Sequence, residues 1–135
     1  MKKHEFRYFF KAWKKSNKIY QKYCSGNHMP FPEALQKEII MSLYDKTLKT
    51  ENAGSYDFFG NIEMKSSTQK GGGCTPFSPT QMCCSRIIYL EIINHFDVYE
   101  ISSTEVSKIN AMVASGHHNL SLKHYLTGAV KKRLI

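Results

Sequence analysis

"SYDFFGNIEMKSST", residues 55–68, is the stretch of sequence from which the predicted fold is built. It contains two short segments typical of strands, "SYDFF" at residues 55–59 and "NIEMKSS" at residues 61–67. Gly60 and Asn61 lie between their apolar parts and are residues that a tight turn accepts. We therefore expect an antiparallel hairpin at this point of the chain.

The second predicted strand places two charged side chains together. Successive side chains of a strand point to opposite faces, so Ile62 and Met64 share one face. Glu63 and Lys65 share the other face. We expect the apolar pair to face the core, while Asp57, on the preceding strand, approaches the charged pair across the hairpin. Two carboxylates and one ammonium group are thus predicted to converge at one end of a small sheet.

This trio has the chemistry that phosphodiester hydrolysis needs. Oxygen ligands suit Mg²⁺, so Asp57 and Glu63 are candidate metal ligands as well as candidate catalytic residues. Lys65 is the third candidate catalytic residue, because an ammonium group can orient or help to deprotonate the attacking water and offset negative charge. Glu33 or Glu38, from the preceding predicted helix, is a further candidate metal ligand, and helical periodicity does not choose between them.

An E-x-K triplet by itself also fits a surface strand whose charged side chains pair in water. The order of the predicted elements favours chemistry instead. It runs from a helix with acids, through the strand with Asp57 and the strand with Glu63 and Lys65, to the loop at residues 68–77. A capped helix and a strand follow. The loop contains three consecutive glycines but is not a P-loop, since no Gly-Lys-Ser/Thr comes after them.

Periodicity predicts two helices before this centre. Residues 4–23 are amphipathic, with aromatic residues at roughly helical spacing and lysines mostly elsewhere. A second helix is expected to begin near Pro32, a good first-turn residue, and to run to about residue 48.

Capping residues predict the elements that follow it. The start "SPTQ" indicates a helix over residues 78–95, followed by a strand at residues 97–101. The segment "RIIYLEII", residues 86–93, is rich in β-branched residues and offers the alternative of a strand, but the capping signal favours the helix. A second capping box opens a helix over residues 102–112.

Charge is distributed unevenly in this chain of 135 residues, whose net charge is +8. Residues 1–50 hold eleven Lys and Arg against four Asp and Glu, and residues 101–135 hold five against one. Residues 51–100 are acidic, with three against six. Basic surface favours polyanions, nucleic acid first, and carboxylates gathered in the middle could hold a cation against phosphate.

The sequence "YDFFGNIEMKSST" resembles the signature of the PD-(D/E)XK nuclease superfamily. Tyr56 and Asp57 stand at the PD position, and residues 63–65 match E-x-K. The superfamily core is a helix, three mixed strands, a helix and a strand, which corresponds to residues 32–102 here, with the first strand expected within residues 46–53. The following "QKGGGCTPFSPTQ" is similar to the loop and helix of small type II restriction endonucleases.

The resemblance implies an α/β (α+β) fold with a restriction-endonuclease-like core, in which a small central mixed sheet is flanked by helices. The length of the chain suits one compact domain, so we expect a single nuclease domain over residues 1–135. It consists of the N-terminal basic helix at residues 4–23, the catalytic core that the resemblance places at about 32–102, and a basic tail at residues 115–135.

The resemblance further implies cleavage of double-stranded DNA at a short specific sequence with Mg²⁺ as cofactor, with Asp57 and Glu63 as metal ligands and Lys65 as the catalytic lysine. Cutting both strands of a symmetric site predicts a homodimer. The candidate DNA contacts are Ser66, Ser67, Thr68, Lys70, Gln81, Arg86, Lys14, Lys15 and Lys123.

Two other functions remain open on the sequence. One is a structure-specific nuclease of the same superfamily, such as a Holliday-junction resolvase or a repair nuclease, and the other is a basic DNA-binding module without catalysis. The chain contains no run of eighteen apolar residues, so we expect no membrane span. Its N-terminus lacks an apolar signal core, which predicts a cytoplasmic protein.

Overall fold

The computed structural model describes residues 1–69, 73–126 and 128–135. Its helices are α1 (Lys3–Tyr23), α2 (Glu33–Ile39), which continues as a π-helical segment (Ile40–Tyr44), and α3 (Ser103–Ala114), and a 3₁₀ turn covers Leu122–Tyr125. Its strands are β1 (Ile62–Ser67), β2 (Thr75–Pro76), β3 (Arg86–Ile92), β4 (Phe96–Glu100), β5 (Asn119–Leu120) and β6 (Val130–Arg133).

The central sheet has four strands in the order β1-β3-β4-β6. Strands β1 and β3 are parallel, whereas β4 is antiparallel to both β3 and β6. The segment that connects β1 to β3 carries β2, which pairs with β5 in a separate two-stranded sheet. Because β1 is the first strand in this order, one of its edges pairs with no other strand among the described residues and carries only the bridge between Ile62 and Phe58; we call it the free edge, and the candidate site lies along it.

Strand β3 shows why the sheet is covered on both faces. Ile88, Leu90 and Ile92 pack into a cluster with side chains of α1 and α2. Ile87 and Tyr89 pack on the opposite face, in a cluster that includes α3. A strand buried on both faces is expected to contain a continuous apolar run, and the four central residues Ile87, Ile88, Tyr89 and Leu90 form one, between the half-buried Arg86 and Glu91. The mixed sheet between helical layers confirms the predicted α/β (α+β) class.

Aromatic residues attach α1 to the sheet. Phe6, Phe10 and Trp13 are buried at helical spacing, so α1 turns one stripe toward the core. The ring of Phe6 meets Phe96 of β4 edge-on, with centroids 5.3 Å apart. Phe31, in the loop after α1, lies among the same rings, 5.5 Å from Trp13. The N-terminal helix predicted at residues 4–23 is confirmed.

The prediction of a helix over residues 78–95 is wrong. The capping contacts do form locally, because the backbone N–H of Ser78 donates to Gln81 Oε1 over 2.9 Å and the N–H of Gln81 donates to Ser78 O over 2.8 Å. They close a turn that does not propagate. The β-branched segment gains more by pairing with β1 and β4, where its apolar side chains are buried on both faces. The alternative of a strand was correct.

The tight reversal predicted at Gly60 and Asn61 is confirmed. Both residues have positive φ, 87° and 58°, which glycine and asparagine tolerate better than other residues. Phe58 and Ile62 form the bridge that closes it, with N–H···O distances of 3.0 Å and 3.4 Å.

The first strand of the predicted hairpin is wrong. Within residues 55–59 pairing is confined to Phe58, which also bridges Thr50, and no strand is described within residues 46–53. The reason lies in Asp57, whose side chain takes the place of a backbone acceptor. Its Oδ2 receives the N–H of Met64 over 2.9 Å. A side-chain hydrogen bond therefore replaces the strand ladder at the free edge of β1.

Other predicted elements agree with the structure. Helix α2 starts after Pro32, although regular helix ends at Ile39 and the π-helical segment ends at Tyr44, short of residue 48. Ser102 caps α3 by accepting the N–H of Glu105. The chain order differs from the predicted core, since no helix separates β1 from β3 in the part of the chain that the structure describes. Nor is any helix there both long and apolar enough to cross a membrane.

Candidate active site

A cleft of about 400 Å³ opens beside the free edge of β1. The loop before β1 lines it on one side, α2 on another, and the β1–β3 connection on a third. Its lining residues are Phe31, Glu33, Gln36, Asp57, Glu63, Met64, Lys65, Ser66, Thr75, Pro76 and Gln81. The cleft therefore contains all three predicted catalytic residues.

Asp57 and Glu63 meet at the base of this cleft. The backbone N–H of Asp57 donates to Glu63 Oε1 over 3.3 Å, and the Asp57 carboxylate in turn accepts the N–H of Met64. Met64 is buried in the core on the other face of β1, as expected. Glu63 is only 1% exposed, so the alternative of a surface strand with charges in water is wrong.

The two carboxyl groups differ strongly in proton affinity. Burial raises the pKa of Glu63 to about 8, helped by a hydrogen bond with Asp57 and opposed by the charge of Lys65. Burial also acts to raise the pKa of Asp57, but hydrogen bonds with Glu63, the Met64 N–H and Lys37 outweigh it and lower that pKa. Of the two carboxyl groups, Glu63 is therefore the one that holds a proton more readily.

The ammonium group of Lys65 is held from three sides. Its Nζ lies 3.3 Å from Glu63 Oε2 and 3.3 Å from Gln81 Oε1. The ring of Phe77 supplies the third contact, with its centroid 4.6 Å from Nζ. Glu63 is a neighbour on β1, whereas Gln81 and Phe77 both belong to the β1–β3 connection, so the position of Lys65 depends on how that connection folds over β1.

Gln81 links the β1–β3 connection to the loop before β1. Its Oε1 accepts hydrogen bonds from Ser78 N and Lys65 Nζ, and its Nε2 donates to Ser55 O over 2.6 Å. Both ends of the amide are used inside the protein. Gln81 was predicted as a DNA contact, and the structure places it next to the catalytic candidate Lys65.

Lys37 is a site residue that the sequence analysis missed. Its Nζ lies 3.1 Å from Asp57 Oδ1 and 3.6 Å from Glu33 Oε1. Burial would lower its pKa, but the carboxylates of Asp57 and Glu33 together raise it. The available signal was the spacing of four residues between Glu33 and Lys37, which places both on one face of α2.

Of the two helix glutamates, Glu33 lines the cleft and Glu38 does not. Glu38 accepts hydrogen bonds from the amino group of Met1 and from Ser42, away from the cleft. The structure therefore chooses between alternatives that periodicity left open.

The hydroxyl residues after Lys65 extend the cleft. Ser66, Ser67 and Thr68 line a neighbouring recess of about 300 Å³, which shares Ser66, Thr75 and Pro76 with the cleft. Ser67 Oγ also accepts the N–H of Gln69, so it helps to end the strand. Lys70, predicted as a DNA contact, lies outside the described residues.

Arg86 is used within the protein. Its guanidinium group donates to both carboxylate oxygens of Glu100, over 2.6 Å and 3.1 Å, and to Asp45 Oδ2 over 3.0 Å. The hydroxyl of Tyr44 donates to the same Glu100. The structure thus places this predicted DNA contact in an ion-pair network rather than in the cleft. Lys123, another predicted contact, is exposed in the 3₁₀ turn.

Lys14 and Lys15 lie on α1 and line a separate groove of about 470 Å³, which we call the lysine groove. Its lining residues are Arg7, Phe10, Lys11, Lys14, Lys15, Lys18, Asn94, His95 and Ile135. Lysine stems and aromatic carbon form the walls, and the ammonium groups are near the surface. Phe10 of this groove packs 6.5 Å from Phe31, which lines the cleft, so aromatic rings separate the two sites.

A comparison with protein-family models finds one whose description is Bsp6I restriction endonuclease, and it matches residues 1–121. This chain belongs to the Bsp6I restriction endonuclease family. The match covers α1, the cleft and α3, so all three predicted catalytic residues fall inside it. Searches of curated proteins and of solved structures returned no match.

Membership in the Bsp6I restriction endonuclease family makes DNA the substrate and site-specific hydrolysis the reaction class. Whether the cleft of this family member fits a divalent cation depends on the side chains that can act as its ligands. In residues 1–69, 73–126 and 128–135, no group of three or more His, Cys, Asp or Glu side chains is arranged to hold a metal ion. Two carboxylates, Asp57 and Glu63, are within reach of each other, which suits Mg²⁺ because that ion keeps several waters.

One atom of this Bsp6I-family site supports the fit directly. Glu63 Oε2 is buried and has no hydrogen-bond partner among the described residues, although Lys65 Nζ is 3.3 Å away. A buried carboxylate oxygen without a hydrogen bond is costly for stability, and such an oxygen is commonly satisfied by a bound ion or water. The donor set and this oxygen together fit a hard cation bound between Asp57 and Glu63.

Proposed function

We propose that this member of the Bsp6I restriction endonuclease family is a Mg²⁺-dependent endonuclease of the PD-(D/E)XK superfamily, which hydrolyses both strands of double-stranded DNA at a short specific sequence. The observation that carries the proposal is the buried Glu63 Oε2, which lacks a hydrogen bond and lies 3.3 Å from the ammonium group of Lys65, while Oε1 of the same carboxylate accepts the backbone N–H of Asp57.

In this proposal Asp57 and Glu63 hold Mg²⁺. When bound, Mg²⁺ stabilises negative charge on the phosphate and activates water. Glu63 must lose its proton for this, and the cation supplies the opposite charge that makes the loss favourable. The N–H of Met64 keeps the carboxylate of Asp57 oriented along the edge of β1.

Lys65 acts on the scissile phosphate. Its ammonium group is confined by Glu63, Gln81 and Phe77, so little reorganisation is needed when negative charge develops. The same group orients the attacking water. Lys37 balances the charge of Asp57 and places a second ammonium group on the opposite side of the carboxylates.

DNA reaches the cleft along surfaces that carry hydroxyl and ammonium groups. Ser66, Ser67 and Thr68 offer hydroxyl donors to phosphate beside the site. The lysine groove supplies contacts to phosphates that carry no base information, and such contacts set register and salt dependence. We also propose that the protein is cytoplasmic and that it is a homodimer, because a cut through both strands of a symmetric site uses two active sites.

The test is digestion of a supercoiled plasmid with Mg²⁺, followed by sequencing of the fragment ends. Discrete fragments with one common end sequence are expected. Cleavage confined to branched DNA would instead identify a structure-specific nuclease. If no DNA is cut with Mg²⁺ or Mn²⁺ while binding persists, the protein is a DNA-binding module.

Two variants separate the proposed roles of the residues. Lys65→Ala is expected to lower cleavage by at least about a thousand-fold, because a group that stabilises transition-state charge is lost, and to leave DNA affinity within several-fold. Glu63→Gln is expected to abolish binding of Ca²⁺ or Mn²⁺ measured by calorimetry, a readout independent of catalysis. Glu38→Gln is the matched control, because Glu38 lies outside the cleft, and its metal binding should equal that of the wild type.

A further inference from the structure

The exposed surface of α1 divides into two parts of different chemistry. One side carries a row that we call the basic stripe, in which successive members are three or four residues apart: Arg7, Lys11, Lys14, Lys18 and Lys22. The other side carries uncharged residues at the same spacing, which we call the outer face: Tyr8, Ala12, Ser16, Ile19 and Tyr23. The stripe Phe6, Phe10, Trp13 and Asn17 is buried against the sheet.

The outer face is unusually apolar for a solvated surface. Tyr8 is 80% exposed, Ile19 62% and Tyr23 74%. Together they account for three of the six large hydrophobic side chains that are exposed among the described residues. Ile19 and Tyr23 lie one helical turn apart, and the small residues Ala12 and Ser16 separate them from Tyr8. Single exposed apolar residues need no explanation, but an apolar row beside a charged one is typical of an interaction site.

Four of the five outer-face residues are placed symmetrically along α1, and the fifth, Ser16, has Lys15 at its symmetry-related position. The midpoint of the row lies between Lys15 and Ser16. Tyr8 and Tyr23 are equally far from that midpoint, and so are Ala12 and Ile19. If two copies of α1 lie antiparallel across a twofold axis at this point, each tyrosine meets the partner's other tyrosine, and each Ala12 meets an Ile19. Small residues near the centre allow the close approach that packed helices require.

We propose that the outer face of α1 is the surface through which two copies of this chain associate, as an antiparallel helix pair centred between Lys15 and Ser16. The need for a second active site rests on the proposed function, whereas the location of the contact between the two chains rests on the outer face. The pairing is isologous, as a twofold dimer requires.

The available area is sufficient for such a dimer. Tyr8 and Tyr23 each expose on the order of 150 Å², judged from what a buried tyrosine covers. The five positions of the outer face expose roughly 500 Å² per chain, so complete burial of this surface would give about 1,000 Å² for the pair, which is the lower limit for a specific interface. Tyrosine also suits an interface because it adds a polar hydroxyl to a large apolar surface.

The pairing has a consequence for the basic stripe. The twofold axis that relates two antiparallel helices is perpendicular to the plane that contains both helix axes. A side chain that points to one side of this plane therefore still points to that same side after the twofold rotation. Both basic stripes therefore lie on the same side of the pair and form one continuous basic surface. Lys15 borders the twofold axis, and its long side chain can turn toward this surface.

Mutual repulsion of the basic stripes predicts an unusual salt dependence. Two chains of net charge +8 repel each other, and salt screens that repulsion. Dimer affinity is expected to rise with ionic strength, whereas DNA affinity falls because counterions are released on binding.

Sedimentation of the purified full chain tests the surface without reference to activity. The wild type is expected to be a dimer, and Ile19→Glu is expected to weaken association by about a hundred-fold or more, since it places a charge against Ala12 of the partner. Val130→Glu is the matched control, because Val130 is 71% exposed but lies on β6, and it should remain a dimer. Circular dichroism verifies that each variant keeps its helices, and Tyr23→Ser provides a second disruptive variant.

The outcomes distinguish the two proposals. A wild type that is monomeric, or an Ile19→Glu variant that stays dimeric, overturns the proposed surface even when DNA is cut. A dimer that depends on Ile19 but cuts no DNA supports the surface and contradicts the nuclease proposal.

Disulfide trapping tests the register. In the proposed pair residue 12 of one chain faces residue 19 of the other, so the double variant Ala12→Cys, Ile19→Cys should form a covalent dimer on mild oxidation. Ala12→Cys alone should not exceed the wild-type background, because two copies of residue 12 lie about 10 Å apart along the helix axis, too far for a disulfide. The wild type, with its four native cysteines, defines that background. Equal trapping by the single and double variants would exclude this register.

Discussion

The amide oxygen of Gln81 lies 3.3 Å from the ammonium group of Lys65, although sixteen positions separate the two residues in the chain. The same oxygen accepts the N–H of Ser78, while the amide nitrogen of Gln81 donates to Ser55. Gln81, which the sequence suggests as a contact to DNA bases, therefore positions Lys65, the candidate catalytic lysine. The β1–β3 connection that carries it also brings the ring of Phe77 over Lys65.

Gln81→Leu is expected to lower the cleavage rate by about ten- to a hundred-fold, because Lys65 loses one of the three contacts that confine it. The effect should fall on kcat, with KM for DNA changed less than threefold. Single-turnover kinetics measure the two quantities separately. Thr80→Ala, in the same turn, is the control and should cleave at the wild-type rate. A change in KM alone would assign Gln81 to DNA binding instead.

Protonation of Glu63 makes the stability of the metal-free protein depend on pH. Burial raises the pKa of Glu63 from its usual 4.5 to about 8, so between these values the folded state binds more protons than the unfolded state. The free energy of unfolding should therefore fall as pH rises through this window and level off above it. Urea titrations in EDTA measure the trend.

Glu63→Gln is the comparison for this pH dependence, since the amide does not titrate. The difference in unfolding free energy between wild type and variant should change across the window, while contributions of the histidines cancel. Affinity of the wild type for Mn²⁺ should rise over the same range, because the cation must displace the proton. Parallel stability curves for the two proteins would show that Glu63 is ionised throughout.

Lys37→Met is expected to bind Ca²⁺ or Mn²⁺ about three- to tenfold more tightly in the absence of DNA. The ammonium group of Lys37, 3.1 Å from Asp57 Oδ1, repels an incoming cation and occupies one of the oxygens it would use. Calorimetry measures the affinity. Lys49→Met, at an exposed lysine outside the cleft, should leave it unchanged. Weaker metal binding in Lys37→Met would mean that the lysine chiefly keeps Asp57 in place.

Arg86→Met is expected to lower the free energy of unfolding by roughly 1–3 kcal/mol, because Glu100 and Asp45 lose a shared, half-buried partner. Thermal and urea denaturation measure the loss. Lys108→Met removes an exposed ion pair with Glu105 and should cost less than about 1 kcal/mol. The cleavage sequence of Arg86→Met should match that of the wild type, and a relaxed sequence preference would restore the role in base recognition.

Replacing Lys14 and Lys18 by alanine is expected to weaken DNA binding by a similar factor on all sequences. Ammonium groups of the lysine groove contact phosphates in this proposal, so the slope of log affinity against log salt should decrease by about two. Fluorescence anisotropy at several salt concentrations gives the slope. Discrimination between the cognate site and other DNA should persist, and its selective loss would place these lysines at base edges.

Several features of the fold follow from local sequence. The aromatic spacing of residues 4–23 predicts α1 because it repeats with the period of a helix, and Ser102 with Glu105 predicts the start of α3 because the capping contact joins residues three apart. The capping residues at 78–81 are also a local signal, and they predict a helix where the structure has the strand Arg86–Ile92. The capping contacts form as a local turn, but burial on both faces of a sheet decides the conformation of the residues that follow.

The candidate site also has some features that local sequence predicts and others that it does not. Local sequence is enough to predict that Glu63 and Lys65 share a face and that Asp57 approaches them, because side chains alternate along a strand and a glycine-asparagine turn reverses the chain. It does not predict that Glu63 is buried with one oxygen lacking a hydrogen bond, or that Lys37 and Gln81 complete the site, because these features depend on the tertiary structure. Those contacts join residues far apart in the chain, and no local period specifies which distant segments burial will bring together.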